Sequence, residues 1–306
     1  MSDDDLLLCG WRVRSGLPLP DLLPWTGDDR PPDIWVRVGT PPERLDDLVE
    51  RTPFAQIDAS GRVLLTLPVV ARYLITGGRE VVVEPAPEAE APEIQGFLLG
   101  TVFGYLVHQR GLLPLHAACL SIGGMTLALM GVSGAGKSSL AAQLVKRGHR
   151  LVSDDVCVLD TTRPDGPWVR PTFPRLKLWR DTLDALGIAA NGLERNRQGR
   201  EKYLCRTIAA RAFSPEPARL GGLVLLAEGI PGRPPRLERL RGFTAQSTVA
   251  EHIYRRRQAL ALGRDSALFT AAAMVAAKVP VWALEPPRDL NALDALAEVV
   301  EELARR

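Results

Sequence analysis

The run Gly131-Val132-Ser133-Gly134-Ala135-Gly136-Lys137-Ser138 matches the pattern G-x-x-x-x-G-K-[ST] at every fixed position. These residue types suit a polyphosphate. Consecutive backbone N–H groups must meet the phosphate oxygens, and side chains would block that approach, hence the glycines. The N-terminus of a following helix adds its positive end. Lys137 can reach the β- and γ-phosphates as a point charge, and the Ser138 hydroxyl can ligate Mg²⁺. With Ser139 next in line, the run predicts a site for ATP, or another nucleoside triphosphate, with Mg²⁺.

Asp154 and Asp155 end the apolar segment 150–152, one crossover after this loop. Adjacent carboxylates at a strand end can face the triphosphate. One of them, with Ser138, can hold the metal, and the other can accept the proton of an attacking hydroxyl. The alternative is a solvated Asp-Asp turn. His116 lies in the apolar run Leu115-His116-Ala117-Ala118, where a histidine is more often a core residue. Transfer also needs positive charge on the equatorial oxygens. Arg175, Arg200 and Lys202 are candidates, the last two in the polar stretch 195–203, which is expected to be a mobile loop or a solvated one. His108, His149 and His252 show no ligand spacing. Arg255, Arg256 and Arg257 are expected to face water.

The elements that must position these groups follow from apolar periodicity. Residues 34–38, 63–67 and 80–84 read as strands, with a short helix over 68–75, giving a small N-terminal α+β unit. The Pro- and Glu-rich segment 85–93 marks a linker or an exposed loop. Residues 94–109 predict a buried helix. Gly123-Gly124 between the apolar runs 115–122 and 125–130 predicts a hairpin. A helix over 137–146 follows the glycine loop, ending at Gly148. Residues 161–219 read as loop-rich with one helix near 179–186. Strands are expected at 220–227 and 281–285, and helices at 244–262, 267–278 and 290–304.

The stretch 116–160 resembles the catalytic core of HPr kinase/phosphorylase, a bacterial protein kinase whose P-loop is of the phosphoenolpyruvate-carboxykinase kind. The matching pieces are Leu115-His116-Ala117, then 131–139, then Lys146-Arg147-Gly148-His149-Arg150-Leu151-Val152 leading into the double aspartate. The whole chain is similar to an HPr-kinase-related subfamily, through the segment 98–117 and through Pro174-Arg175-Leu176-Lys177-Leu178-Trp179. Some members of that subfamily phosphorylate the C-terminal serine of a lasso-peptide precursor. The resemblance implies an α/β fold, with an N-terminal unit over 1–92 and an HPr-kinase-like P-loop domain over 93–306. It implies that Lys137 and Ser138 bind phosphate and metal. It further implies that Asp155 accepts the proton, that Asp154 supports it or the metal, and that His116 is catalytic. Two features depart from HPr kinase itself. Ser139 stands where that family has glutamate, and the family's glycine-rich signature has no counterpart in 161–205. HPr as acceptor, reverse phosphorolysis and the hexamer are therefore not carried over.

Bulk properties narrow the class. The chain has 306 residues, with 38 Lys plus Arg against 36 Asp plus Glu. That balance gives no long-range pull toward nucleic acid or anionic membrane. The N-terminal MSDDDLLLCGW is acidic and unlike a secretory signal, and no uncharged run spans a bilayer, so a cytoplasmic protein is expected. Cys9, Cys119, Cys157 and Cys205 lack metal-ligand spacing and are expected to be reduced and buried. The readings left open are a serine kinase acting on a peptide or small protein, a kinase of a small-molecule hydroxyl, and a nucleotide-dependent switch.

Overall fold

The computed structural model describes residues 5–196, 199–229, 233–287 and 289–305. The chain divides into two compact units, Met1–Pro114 with Arg255–Ala267, and Leu115–Tyr254 with Leu268–Arg306.

The first unit is built on a nine-stranded sheet among the described residues. Its order is Leu23–Pro24, Leu6–Leu8, Trp11–Ser15, Ile34–Val38, Glu80–Pro85, Ala71–Thr76, Val63–Leu67, Ala55–Asp58 and Leu48–Arg51. The strands expected at 34–38, 63–67 and 80–84 are present. The helix expected over 68–75 is not, which corrects the α+β reading of this region. Residues 68–70 form a turn closed by Val70 N–H donating to Leu67 O at 2.9 Å. The strand Ala71–Thr76 then pairs on both sides. Its buried residues are Ala71, Tyr73 and Ile75, a period of two that only a strand satisfies. Helical structure begins at Ala91 and runs to Gln109, with one wide turn at Leu98–Val102. Gln109 fixes its end. The side chain accepts from Gly78 N–H and donates to Gly61 O, both at 2.7 Å. Arg264 donates to the carbonyls of His108 and Leu112, which ties the segment 255–267 to this unit.

The second unit has a mixed sheet. Cys157–Asp160, Trp168–Arg170, Ala218–Leu226, Met125–Met130, Ala117–Ile122 and Arg150–Ser153 lie side by side in that order, and Val281–Glu285 pairs with Ala218–Leu226. Met125–Met130, Ala218–Leu226 and Val281–Glu285 are mutually parallel, so their carboxyl ends open on one edge. Ala117–Ile122 and Met125–Met130 form the expected hairpin, turning at Gly123 and Gly124, both at positive φ. The helix Lys137–Lys146 buries Leu140, Leu144 and Val145 against a core that includes Leu127, Leu129, Leu176, Val224 and Leu296. Burying each such side chain contributes about 1.5–3 kcal/mol.

Three further expectations change. The region 161–219 holds a small sheet, Leu176–Trp179, Lys202–Cys205 and Glu194–Arg195, and a second helix, Arg206–Ala212. In the stretch 195–203 expected to be loop, Arg195 and Lys202 are strand residues, while Arg197 and Gln198 lie outside the described residues. The helix expected over 244–262 is two helices, Gly242–Glu251 and Arg256–Ala261. Between them Ile253 bridges Leu115, His252 O accepts from His116 N–H at 2.8 Å, and Arg255 turns at φ 55°. Pairing with a distant segment outcompetes continuation of the helix. The polar strand Arg236–Leu240 lacks an apolar signal and forms by pairing with Val281–Glu285.

Candidate active site

The glycine run leaves the carboxyl end of Met125–Met130 and enters the helix Lys137–Lys146. A side chain at Gly131 would be strained and crowded. At φ 149° a Cβ there would lie 3.0 Å from both Leu226 O and the Ala135 Cβ. Gly136 occupies the N-cap position at φ 92°, where it reverses the chain into the helix. Lys137 is buried, and its ammonium folds back over the loop, donating to Gly131 O at 2.7 Å and Val132 O at 3.0 Å. Burial, and then the charge of Lys202, push its pKa down, while the two aspartates oppose the shift.

Asp154 and Asp155 follow the strand Arg150–Ser153. Asp155 adopts φ 74°, an uncommon conformation for a residue with a Cβ, costing about 1–3 kcal/mol. Both carboxylates line the same cavity of about 370 Å³ as His116, Lys137 and Ser138. Asp154 is 4% exposed. Its Oδ1 accepts from the Ser138 hydroxyl at 2.8 Å and its Oδ2 from the Lys177 backbone N–H at 3.1 Å. Burial and the neighbouring charge of Asp155 raise its pKa. Asp155 takes the opposite course. Burial alone would raise it, but the Lys177 ammonium, through its charge and its hydrogen bond, and the charge of Arg175 outweigh that and hold it well below the usual carboxylate range. Lys177 Nζ sits 3.0 Å from Asp155 Oδ2. One aspartate is thus destabilised as an anion and its neighbour is held ionised.

His116 Nδ1 lies 3.0 Å from the Asp155 backbone oxygen and 3.4 Å from Asp155 Oδ1. Burial, and then the charge of Lys137, lower its pKa, so the neutral ring is favoured. A carbonyl oxygen only accepts, so the neutral ring carries its proton on Nδ1. Nε2 is then the acceptor nitrogen. The histidine expected to be a core residue from its apolar run is instead half-buried beside the acidic pair.

The basic candidates separate. Lys202 lines the cavity with Trp179 and Asp181, its ammonium 5.4 Å from the Trp179 ring centre. Arg175 is buried against Phe173, 4.7 Å from the ring centre, and acts on Asp155 through its charge. Arg200 is exposed and is not among the residues lining this cavity. Ser139 is buried and shares a 2.9 Å hydrogen bond with Thr182, so its hydroxyl braces the helix Arg180–Leu186. Gly131 itself supports the loop, while Ser133, Gly134, Gly136 and Ser139 border the cavity. Lys177 is the residue that motif reading missed. Its signal was the alternation Leu176-Lys177-Leu178-Trp179, in which the two leucines are buried and Lys177 and Trp179 share the opposite face.

The donor set fits a small hard cation. Ser138 and Asp154 present two oxygens at one point, and no group of three or more His, Cys, Asp or Glu side chains among the described residues makes a complete cage. Mg²⁺ characteristically takes only one or two protein oxygens, with phosphate and water supplying the rest. All four cysteines are buried thiols outside any disulfide. Cys205, the thiol that feels Asp154, is pushed up to about 11 by burial, so it is no nucleophile.

Residues 112–168 match the family described as the HPr Serine kinase C-terminal domain. An HPr kinase/phosphorylase of Brevibacillus brevis is 39% identical over 80 residues, 25% of each chain. A putative HPr kinase/phosphorylase 2 of Oceanobacillus iheyensis is 47% identical over 47 residues, 15% of each chain. The alignments thus span a quarter or less of these relatives' length. The HPr(Ser) kinase/phosphatase structure from Coxiella burnetii aligns at 18% identity with a TM-score of 0.33, covering 63% of this chain and 93% of that one. Around the glycine loop and the acidic pair, the sequence is HPr-kinase-like. No helix among the described residues is long and apolar enough to cross a membrane.

Proposed function

We propose that this chain is a kinase that moves the γ-phosphate of ATP to a hydroxyl. The favoured acceptor is a serine of a peptide or small protein, such as the C-terminal serine of a lasso-peptide precursor. The observation that carries the proposal is Asp155. Its carboxylate, beside Lys177 and His116, shares one cavity with Lys137 and Ser138. A nucleotide switch needs the loop but no ionised carboxylate held beside a neutral histidine.

Ser138 and Asp154 would hold Mg²⁺, which neutralises charge on the phosphates when bound. Lys137 supplies fixed positive charge at the loop, and Lys177 and Lys202 supply it at the cavity wall. Asp155 accepts a hydrogen bond from the incoming hydroxyl and so aims its oxygen. Its low basicity is no obstacle. In a loose phosphoryl transfer the hydroxyl proton leaves late, when its oxygen is already bonded to phosphorus and strongly acidic. His116 positions Asp155 and presents a neutral acceptor nitrogen nearby. Most of the acceleration comes from alignment.

The test uses ATP labelled at the γ-phosphate and a panel of serine-ending peptides, small proteins and hydroxyl metabolites. Labelled acceptor is expected with the wild-type chain and not with Asp155→Asn, which should still be stabilised thermally by Mg·ATP. Nucleotide binding with no labelled acceptor across the panel would replace the kinase reading with the switch. Label on a metabolite alone would replace the peptide acceptor.

A further inference from the structure

A second cavity, of about 500 Å³, opens on the other side of the glycine loop. Small-molecule sites typically span about 300–1,000 Å³. Its walls include Val132, Leu226, Pro286, Leu290, Leu293 and Leu296. Three of these features point to a ligand. Leu226 ends the strand Ala218–Leu226 and Pro286 follows the strand Val281–Glu285, both parallel to the strand that enters the glycine loop. The cavity therefore lies outside the carboxyl ends of parallel strands, where open α/β sheets bind their ligands. Val132 is 72% exposed although apolar, and the face it shows borders this cavity. Ser133, Gly134, Gly136, Ser139 and Leu290 border both this cavity and the one holding the aspartates, so the two are joined across the loop.

Electrostatics gives the pair a direction. Lys137, Lys177 and Lys202 all line the aspartate cavity, and among the described residues no lysine or arginine lines the second one. At the second cavity's rim stand the carboxylates Glu228 and Asp289. They repel phosphate and accept hydrogen bonds from neutral donors such as ribose hydroxyls. The wall contributed by the C-terminal helix Leu293–Ala304 is rigidly placed. Arg147, which follows the loop helix, bonds both Asp294 at 2.6 Å and Glu301 at 2.7 Å.

We propose that this apolar slot holds the nucleoside half of the triphosphate, its base between Val132 and the leucines of the C-terminal helix and its ribose at the acidic rim. The slot rests on the reading of 131–138 as a phosphate loop. It assigns a binding role to residues 286–296, far from any motif, and makes the C-terminal helix a determinant of nucleotide affinity.

Calorimetric titration of the full chain with Mg·ATP and with Mg·tripolyphosphate tests this, because the second ligand keeps the phosphates and lacks the nucleoside. ATP is expected to bind at least about tenfold more tightly. Ala227→Trp, which fills the slot from a half-buried position, should erase that advantage and leave tripolyphosphate affinity unchanged. Leu293→Ala, at a residue that borders only this cavity, should narrow the gap in the same sense, and serves where the tryptophan variant does not fold. Equal wild-type affinities, or variants that weaken both ligands alike, overturn the slot. Binding of neither ligand overturns the phosphate loop itself.

Discussion

The hydroxyl of Ser138, the second residue of the loop helix, donates to Asp154 Oδ1 across 2.8 Å. This one bond joins the two motifs that lie sixteen positions apart in the chain. It also brings a neutral oxygen and an anionic one to a single point beside the glycine loop, the arrangement a hard divalent cation requires.

Asp154→Asn removes that anionic oxygen while keeping the side chain's shape. Nucleotide binding should lose its dependence on Mg²⁺. Thermal melts with ATP, with and without Mg²⁺, read this directly. A variant whose ATP stabilisation still needs Mg²⁺ as the wild type does would show that Asp154 is not the metal's carboxylate.

Lys177→Met would leave the Asp155 charge without its 3.0 Å partner. Breaking a buried pair from one side costs about 3–5 kcal/mol. Asp155 is 31% exposed, so water screens part of this, and a loss of about 2 kcal/mol is expected. The double variant Lys177→Met/Asp155→Asn should recover most of the stability and none of the phosphoryl transfer. Chemical denaturation and the labelled-ATP assay separate the two effects. Equal stability of the single and double variants would mean that the pair is not coupled.

The pH profile should report His116. Its pKa is lowered, chiefly by burial, so the ring is already neutral at pH 7. Transfer should be flat through neutral pH and fall in acid, with a midpoint below the ordinary histidine value of about 6.5. A depressed pKa also means that the stability linked to this ring is present above that value and is lost as pH falls through the lower one. His116→Asn should remove the acid limb and reduce transfer by about 10²-fold. An unchanged limb in that variant would assign it to another group.

Glu301 tests the anchor of the C-terminal helix. Hydrogen bonds from Arg147 and His149 bring its pKa down to about 2. The lowered pKa makes the linked stability complete above the ordinary carboxylate range of about 4.3, and it should fade as pH drops toward 2. In Glu301→Gln that part of the pH dependence should flatten, and ATP affinity should fall with tripolyphosphate affinity unchanged. Melting curves between pH 2 and 6 and the paired titrations give both readouts. A variant with the wild-type slope would show that the helix is held by its apolar face alone.

Contiguous residues determined what contiguous residues can encode. The loop Gly131–Ser138, the helix Lys137–Lys146 and the hairpin at Gly123-Gly124 were legible because glycine placement and apolar period act within a few positions. The reading of Lys137, Ser138 and the aspartates as a candidate site came from the same local spacing, and the fold sets all four on one cavity. Tertiary structure decided the rest. Residues 71–75 became strand because neighbours on both sides completed their hydrogen bonds, and 244–262 split because Ile253 found Leu115. It set Lys177 against Asp155, left Arg200 outside the cavity and drew His116 to the acidic pair. Charge pairs form between positions that sheet order makes neighbours, and sheet order is set by hydrogen bonds and burial between segments far apart in the chain, which no local spacing records.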